Sequence, residues 1–477
     1  MQPVQQSLEF LEKLAASGPV ATLAAAFAEA GHELSLVGGP VRDAFLGRAI
    51  TDLDFTTDAT PDQILAIVTP ISQAQWDVGR AFGTIAARID GESVEITTYR
   101  SDEYDHKSRK PEVSFGDTLE GDLRRRDFTV NAMALRVPEL VLVDPSHGMD
   151  DLVAGVLRTP GTPEVSFGDD PLRMLRAIRF SAQLGFTVSV DAAVAISEMR
   201  DSIGIVSVER VNDELSKLLK TDAPRRGIEL LVDSGLAELI IPEIPALRLE
   251  ADEHHHHKDV YQHSLTVLDQ AIDLEKSRHP GSPPDLVLRL AALLHDIGKP
   301  ATKRNEPGGQ VSFHHHDVVG SKLAKKRLKA LRFDNDTIAA VGRLIELHLR
   351  FFGYSDGAWT DSAVRRYVRD AGDQLERLHI LTRADVTTRN RRKADQLAFA
   401  YDDLEDRITT LAAQEEMAAV RPDLNGEQIM AILGIPPSRV VGEAYAYLLE
   451  VRLDEGPLSE QQATERLLAW WAARSEG

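Results

Sequence analysis

The rhythm of apolar and polar positions changes along the chain. Residues 4–30 repeat apolar side chains at helical spacing and predict a helix. Glu33–Val37 predicts a short strand, two glycines interrupt it, and Pro40–Leu46 predicts a short helix. Thr51–Thr56 fits another strand, and β-type runs recur at Gly83–Ile89, Ser93–Tyr99 and Glu139–Pro145. From about residue 170 onward the pattern is almost wholly helical. Strands confined to the first third predict an α+β chain, a small α/β head on a long helical body.

With 477 residues the chain exceeds one typical core, so two to four domains are expected. Pro/Gly punctuation at 160–168 and 280–284 and the His-rich stretch 252–257 suggest boundaries. His254–His257 reads as a native loop with a weak chance of metal contact. There is no cysteine, so any metal must be held by His, Asp or Glu. No basic leader precedes the short apolar stretch Val20–Ala28, and no run is long enough to span a bilayer. A soluble, cytoplasmic protein is expected. The net charge of -21 argues against a nucleic-acid partner. Basic clusters nevertheless stand at Arg124–Arg126, Lys322–Arg332 and Arg389–Lys393, and each reads equally well as a solvated helix face.

The stretch "LVGGPVRDAFLGRAITDLDFTT" (Leu36–Thr57) combines two chemical features. On a strand, Asp52 and Asp54 point the same way while Leu53 and Phe55 face the core. Adjacent carboxylates repel, and a divalent cation relieves the repulsion; oxygen-only ligation suits Mg²⁺ together with substrate phosphates. Gly38 and Gly39 end a strand and open a helix, with Pro40 suited to its first position. Backbone N–H groups there approach an anion closely. A phosphate site beside a metal site suggests phosphoryl or nucleotidyl transfer. Either feature alone is a common surface tripeptide or turn; their combination is not.

These residues resemble the nucleotidyltransferase signature of the polymerase-β superfamily, in the version shared by bacterial CCA-adding tRNA nucleotidyltransferases and poly(A) polymerases. Further stretches carry the resemblance: "RRRDFTVNAMA" (Arg124–Ala134), "VDPSHGMDDLVAGVLRT" (Val143–Thr159), "DDPLRMLRAIRF" (Asp169–Phe180) and "SVERVNDELSKLL" (Ser207–Leu219). The resemblance implies a small mixed-sheet head over 1–160 and a helical neck over 161–250. It implies that Gly38, Gly39 and Arg42 hold the triphosphate. Arg126, Asp127 and Asn131 would contribute to the sugar and phosphate pocket, and Arg176 would also contact nucleotide. The charged segment between Tyr99 and Arg124, without clear period, resembles the flexible loop used in switching from CTP to ATP. Glu95 is either a third carboxylate or a plain strand-face residue.

"DDPLRMLR" reads as the first turns of a helix, with Asp170 and Arg173 on one face. A carboxylate accepts and a guanidinium donates, which complements the edges of cytosine and adenine and mismatches uracil and guanine. This resembles the protein template of the bacterial enzymes. The family usually carries Glu where Asp169 stands.

"LRLAALLHDIGKP" places His295 and Asp296 at the end of an apolar helix, with Gly298 as its C-cap. His263 and Asp385 complete the order H…HD…D, and His316 and His348 are further candidates. Mixed imidazole and carboxylate ligands suit a divalent metal. The set resembles the HD phosphohydrolase superfamily, implying an HD domain over 251–390. The segment Asp423–Tyr445 resembles the tRNA-contacting tail of these enzymes, here within 391–477. The expectation is CCA addition to the tRNA 3' end from CTP and ATP, with Mg²⁺ in the head, a second divalent metal in the HD domain, and neither DNA nor membrane as partner. The alternatives are a poly(A) polymerase, an enzyme adding only CC or A, or an HD phosphohydrolase with an RNA-binding head.

Overall fold

A computed structural model describes residues 4–50, 52–76, 83–103, 112–115, 118–249, 259–307, 311–355, 359–388, 390–415 and 421–475. The run His254–His257 and Arg389 lie outside these residues. The chain forms two compact units, Met1–Pro242 and Glu243–Gly477.

The first unit opens with two helices, Val4–Ala15 and Gly18–Glu29, where the apolar rhythm had predicted one. The break follows from Ser17-Gly18-Pro19: Ser17 is extended, and proline at the start of the second helix cannot continue the first. Nine strands follow: β1 (Leu34–Val37), β2 (Leu53–Thr57), β3 (Ala74–Trp76), β4 (Thr84–Ile89), β5 (Glu92–Thr98), β6 (Arg100–Glu103), β7 (Glu112–Phe115), β8 (Ala134–Val137) and β9 (Val141–Val143). Seven form one mixed sheet in the order β3-β4-β5-β2-β1-β8-β9. Only β2 and β5 pair in parallel; every other pairing in the sheet is antiparallel. β6 and β7 pair as a separate antiparallel ribbon, so the segment after Tyr99 is more ordered at its base than its pattern suggested.

Among the described residues the rest of this unit is helical, apart from a short parallel ribbon of Val156–Leu157 and Thr187–Val188. The helix Leu172–Leu184 packs against Val208–Leu219 and Pro224–Asp233. Its strongly apolar inner face includes Met174, Ala177 and Ile178, all buried.

The second unit is built from helices, apart from a two-residue-per-strand ribbon at Arg304–Asn305 and Val311–Ser312. Val260–Arg278 packs against Leu286–Leu294 and Leu375–Ala384, and His316–Ala330 pairs with Asn335–Leu347. Leu286–Leu294 is apolar nearly all round because it is buried on all sides. Gly298 caps the N-terminus of the short helix Lys299–Thr302 in the αR conformation, so it is not the left-handed C-cap expected. Its lack of a side chain serves proximity: a Cβ there would lie 2.1 Å from the His316 carbonyl oxygen. The last three helices, Gly426–Leu433, Arg439–Glu455 and Glu460–Ser475, share a small core of Leu424, Ile429, Ala444, Leu448, Ala463 and Leu467.

Candidate active sites

In the head, β2 and β5 run in parallel with Asp54 directly beside Glu95. Asp52 lies one residue before β2 and is exposed, while Leu53 and Phe55 are buried as the strand alternation requires. Partial burial and the neighbouring Glu95 push the Asp54 carboxyl up to about 6; Arg126 opposes the rise and Asp52 adds to it. A cation at this edge would offset both the burial and the neighbouring charge that raise Asp54. The donor set is hard oxygen, which fits Mg²⁺.

Arg100, Arg125 and Arg126 line the same cleft as Asp54 and Glu95. Gly38, at φ 75°, caps the helix Gly39–Leu46 and lies against Arg126; a Cβ there would come 3.3 Å from Nη1. Both the backbone angle and the clearance favour glycine. The sequence reading missed Asp122, fully buried beneath these arginines. Its Oδ1 accepts from Arg125 Nη2 at 2.8 Å and from the Arg100 backbone N–H at 3.2 Å. Its Oδ2 accepts from Arg126 Nη2 at 3.2 Å and from Thr56 Oγ1 at 3.3 Å. Burial raises this carboxyl, but Arg126 and Arg125 outweigh it and hold it below the usual range. The spacing of Asp122 to Arg125 and Arg126, three and four residues on, was the available signal.

The other predicted nucleotide contacts form one buried chain. Arg42 Nη1 donates to Asn131 Oδ1 at 2.6 Å, and Asn131 Nδ2 donates to Asp127 Oδ1 at 3.1 Å. Arg176 Nε donates to Asp127 Oδ2 at 2.8 Å. Burial would raise the Asp127 carboxyl, yet Arg176 and Asn131 bring it to about 2. Arg42 also grips Asp43 through Nε and Nη2 at 2.9 and 2.8 Å. Gly39 begins the helix that carries Arg42.

Asp170 and Arg173 are not paired with each other. The helix begins after Asp170, at Leu172, so Asp170 is outside the face it was expected to share. Its carboxylate instead accepts from Arg210 Nη2 at 2.7 Å and Nη1 at 3.3 Å. Arg173 donates to Ser166 Oγ at 2.9 Å and to the Arg125 carbonyl at 2.6 Å.

In the second unit, His263, His295 and Asp385 form one triad, and Asp296, His316 and His348 form another; ligand atoms within each lie within 4.8 Å. Asp296 joins the two, with Oδ2 3.3 Å from His295 Nε2 and Oδ1 3.3 Å from His316 Nε2. The Nδ1 atoms of His295, His316 and His348 each stand 2.6–2.9 Å from the carbonyl three residues earlier. A carbonyl only accepts, so each Nδ1 carries the proton and Nε2 faces the cluster. His295 Nε2, His316 Nε2 and Asp296 Oδ2 are buried yet misaligned for hydrogen bonds with one another. They converge on a common space, as metal ligands do. Burial alone would depress the His295 imidazole, but Asp296 and Asp385 push it up to about 10; burial next to His295 takes His348 down to about 4. A divalent metal bound by these residues would balance the two carboxylates in place of that proton. Lys299 Nζ, unforeseen from the sequence, lies 2.9 Å from Asp296 Oδ2.

Comparison with known proteins matches this division of chemistry. The Poly A polymerase head domain matches residues 34–158, the probable RNA and SrmB-binding site of polymerase A matches 185–247, and the HD domain matches 260–390. The A-adding tRNA nucleotidyltransferase of Deinococcus radiodurans is 33% identical over 456 residues, covering 93% of this chain and 96% of that protein. The chain belongs to the tRNA nucleotidyltransferase family. The CCA-adding enzyme of Bacillus subtilis is 44% identical over 211 residues, 44% of this chain and 52% of that family member. The chain thus aligns with nearly all of one relative and about half of the other. The fold of this nucleotidyltransferase resembles that of the Bacillus stearothermophilus CCA-adding enzyme in complex with CTP, with a TM-score of 0.67 and 23% identity over 100% of this chain and 99% of that one. The Thermotoga maritima CCA-adding enzyme complexed with tRNA aligns at a TM-score of 0.60 and 19% identity over 95% of each chain. Among the described residues no helix is long and apolar enough to cross a membrane.

Proposed function

We propose that the head adds C, C and A to the 3' end of tRNA from CTP and ATP. The observation that carries this reading is that Asp54 and Glu95 share one cleft with Arg125 and Arg126, with Asp52 close to Asp54. Asp52 and Asp54 would hold Mg²⁺, which lowers the cost of ionising the tRNA 3'-hydroxyl and of developing charge on pyrophosphate. Arg126 and the backbone at Gly38 and Gly39 orient the triphosphate. Arg42, Asn131, Asp127 and Arg176 act as one locked unit that shapes the sugar side of the pocket. Asp170, steadied by Arg210, presents an acceptor to the exocyclic amine shared by cytosine and adenine, and Arg173 supplies the donor side of the base pocket.

The HD cluster is assigned to phosphohydrolysis. Its donors fit one or two divalent ions, with Asp296 placed to touch both triads. The functional division at 160, 250 and 390 belongs to the same proposal and is supported by the domain matches at 34–158, 185–247 and 260–390.

One observation favours a narrower reading, addition of the terminal A alone: the relative matching 93% of the chain is named an A-adding enzyme. Incubation of tRNAs ending before CCA, after C and after CC with CTP and ATP, singly and together, separates the readings. Extension of all three to CCA supports the proposal. Extension only of the CC-ended tRNA by ATP replaces it with A addition, and a long A tail replaces it with poly(A) synthesis.

A further inference from the structure

The helix His316–Ala330 starts with a cluster ligand and continues as the sequence "KLAKKRLKA" from Lys322 to Ala330. Its buried side is His316, Gly320, Ser321, Ala324 and Leu328. Lys322, Lys325, Lys326 and Lys329 lie on the opposite, exposed side at helical spacings of three and four. Among the described residues none of these four enters an ion pair, whereas Arg327, turned inward, binds Glu243 at 2.8 Å. Acidic groups flank the stripe, Asp317 in the first turn and Asp334 beyond the last, with none between Lys322 and Lys329. In a chain of net charge -21, such a concentration of unpaired positive charge repels itself at a cost and attracts polyanions.

We propose that this lysine face binds the phosphate backbone of RNA, as a second RNA contact separate from the matched RNA-binding segment 185–247. The character of the face selects this partner. Protein interfaces are depleted in lysine and anchored by aromatic side chains or arginine, and neither stands on the stripe. Insertion into a lipid surface needs an apolar face beside the basic one, and the exposed side offers only Val318, itself 37% exposed. Lysine is a point charge suited to phosphate, and the stripe from Lys322 to Lys329 spans about 10 Å, on the order of three backbone steps. With no aromatic to stack on a base, the contact is blind to sequence. It rests on the reading of the chain as a tRNA-processing enzyme.

The test compares the full-length protein with K322Q/K326Q/K329Q. Lys325 is retained because its stem packs over Gly342, where a Cβ would meet Lys325 Cε at 2.1 Å. Fluorescence-anisotropy titrations use tRNA lacking CCA and a duplex RNA of unrelated sequence, between about 50 and about 200 mM salt. The expected result is an affinity loss of about tenfold or more at the lowest salt, and a log–log salt slope shallower by about 2–3, for both RNAs. K322E/K326E/K329E should weaken binding further, with circular dichroism and melting unchanged in both variants. Coincident slopes for wild type and the Gln variant overturn the proposal. So does loss confined to vesicles of anionic lipid, with RNA binding retained. If the wild type extends tRNA while the slopes coincide, only the surface assignment fails. If the wild type does not extend tRNA, the functional reading fails, and the duplex-RNA slope still decides the surface.

Discussion

Asp54 faces Glu95 across the only parallel pairing of the head sheet. Burial and the in-register Glu95 push the Asp54 carboxyl up to about 6, so its ionised form is costly there and favours a cation. Asp54→Asn should therefore abolish nucleotide addition and, in metal-free protein, raise stability. The folded-state value lies above the ordinary 3.8, so ionised Asp54 costs stability that appears as pH rises from about 4 to about 6 and persists above. Removing that charge should gain about 1–3 kcal/mol at pH 7, read as a melting temperature raised by a few degrees. A lower melting temperature would contradict the raised value that burial and Glu95 give this carboxyl.

The same shift sets a metal dependence. Below about pH 6 a proton competes for Asp54, so the Mg²⁺ concentration for half-maximal addition should rise about tenfold per pH unit. Initial rates across Mg²⁺ concentrations at several pH values measure it. A half-saturation constant independent of pH from 5 to 7 would remove Asp54 from the metal site.

Base choice should depend on Asp170 and on Arg210, which holds its carboxylate. Asp170→Ala should lower CTP and ATP incorporation and raise relative use of UTP and GTP. Arg210→Ala should give a weaker version of the same change, because it leaves the acceptor in place but frees it to move. Competition assays with all four nucleotides report the ratio, and an unchanged ratio in both variants would exclude this pair from selection.

Asp122→Ala removes a buried acceptor that serves Arg125, Arg126, Thr56 and the Arg100 backbone at once. Loss of about 2–4 kcal/mol is expected by denaturant unfolding, together with a raised KM for both nucleotides. A fully stable variant with normal KM would show that the arginines hold their places without it.

His295→Ala should lower bound metal and any release of phosphate from 2'-nucleotides or 2',3'-cyclic nucleotides, while nucleotide addition persists. Metal analysis and both activity assays on the purified variant test the separation. Loss of nucleotide addition in a well-folded variant would show that the two chemistries are coupled.

The strand carrying Asp54, the glycine turn before it and the H…HD…D order were legible because each depends on local spacing. The expected helix over residues 4–30 failed at a three-residue breaker inside an otherwise continuous rhythm. β3 and β8 were missed because three- and four-residue strands acquire their identity from neighbours distant in sequence. The single helical face expected for Asp170 and Arg173 did not form because helical spacing was applied across a helix boundary. Asp122 was passed over because its spacing to Arg125 and Arg126 equally fits an exposed ion pair, and its burial depends on partners such as Thr56, 66 residues away.

Gly298 contributes no ligand atom, no charge and no unusual backbone angle. A Cβ there would lie 2.1 Å from the His316 carbonyl oxygen and 2.7 Å from the Gly320 nitrogen, so only a hydrogen atom fits. A single methyl group there would wedge the turn away from the helix and separate Asp296 from His316. Any survey that scores activity alone would rank Gly298 beside the histidines. Titration of metal into Gly298→Ala would reveal the distinction: every donor remains, and what is lost is the distance between them.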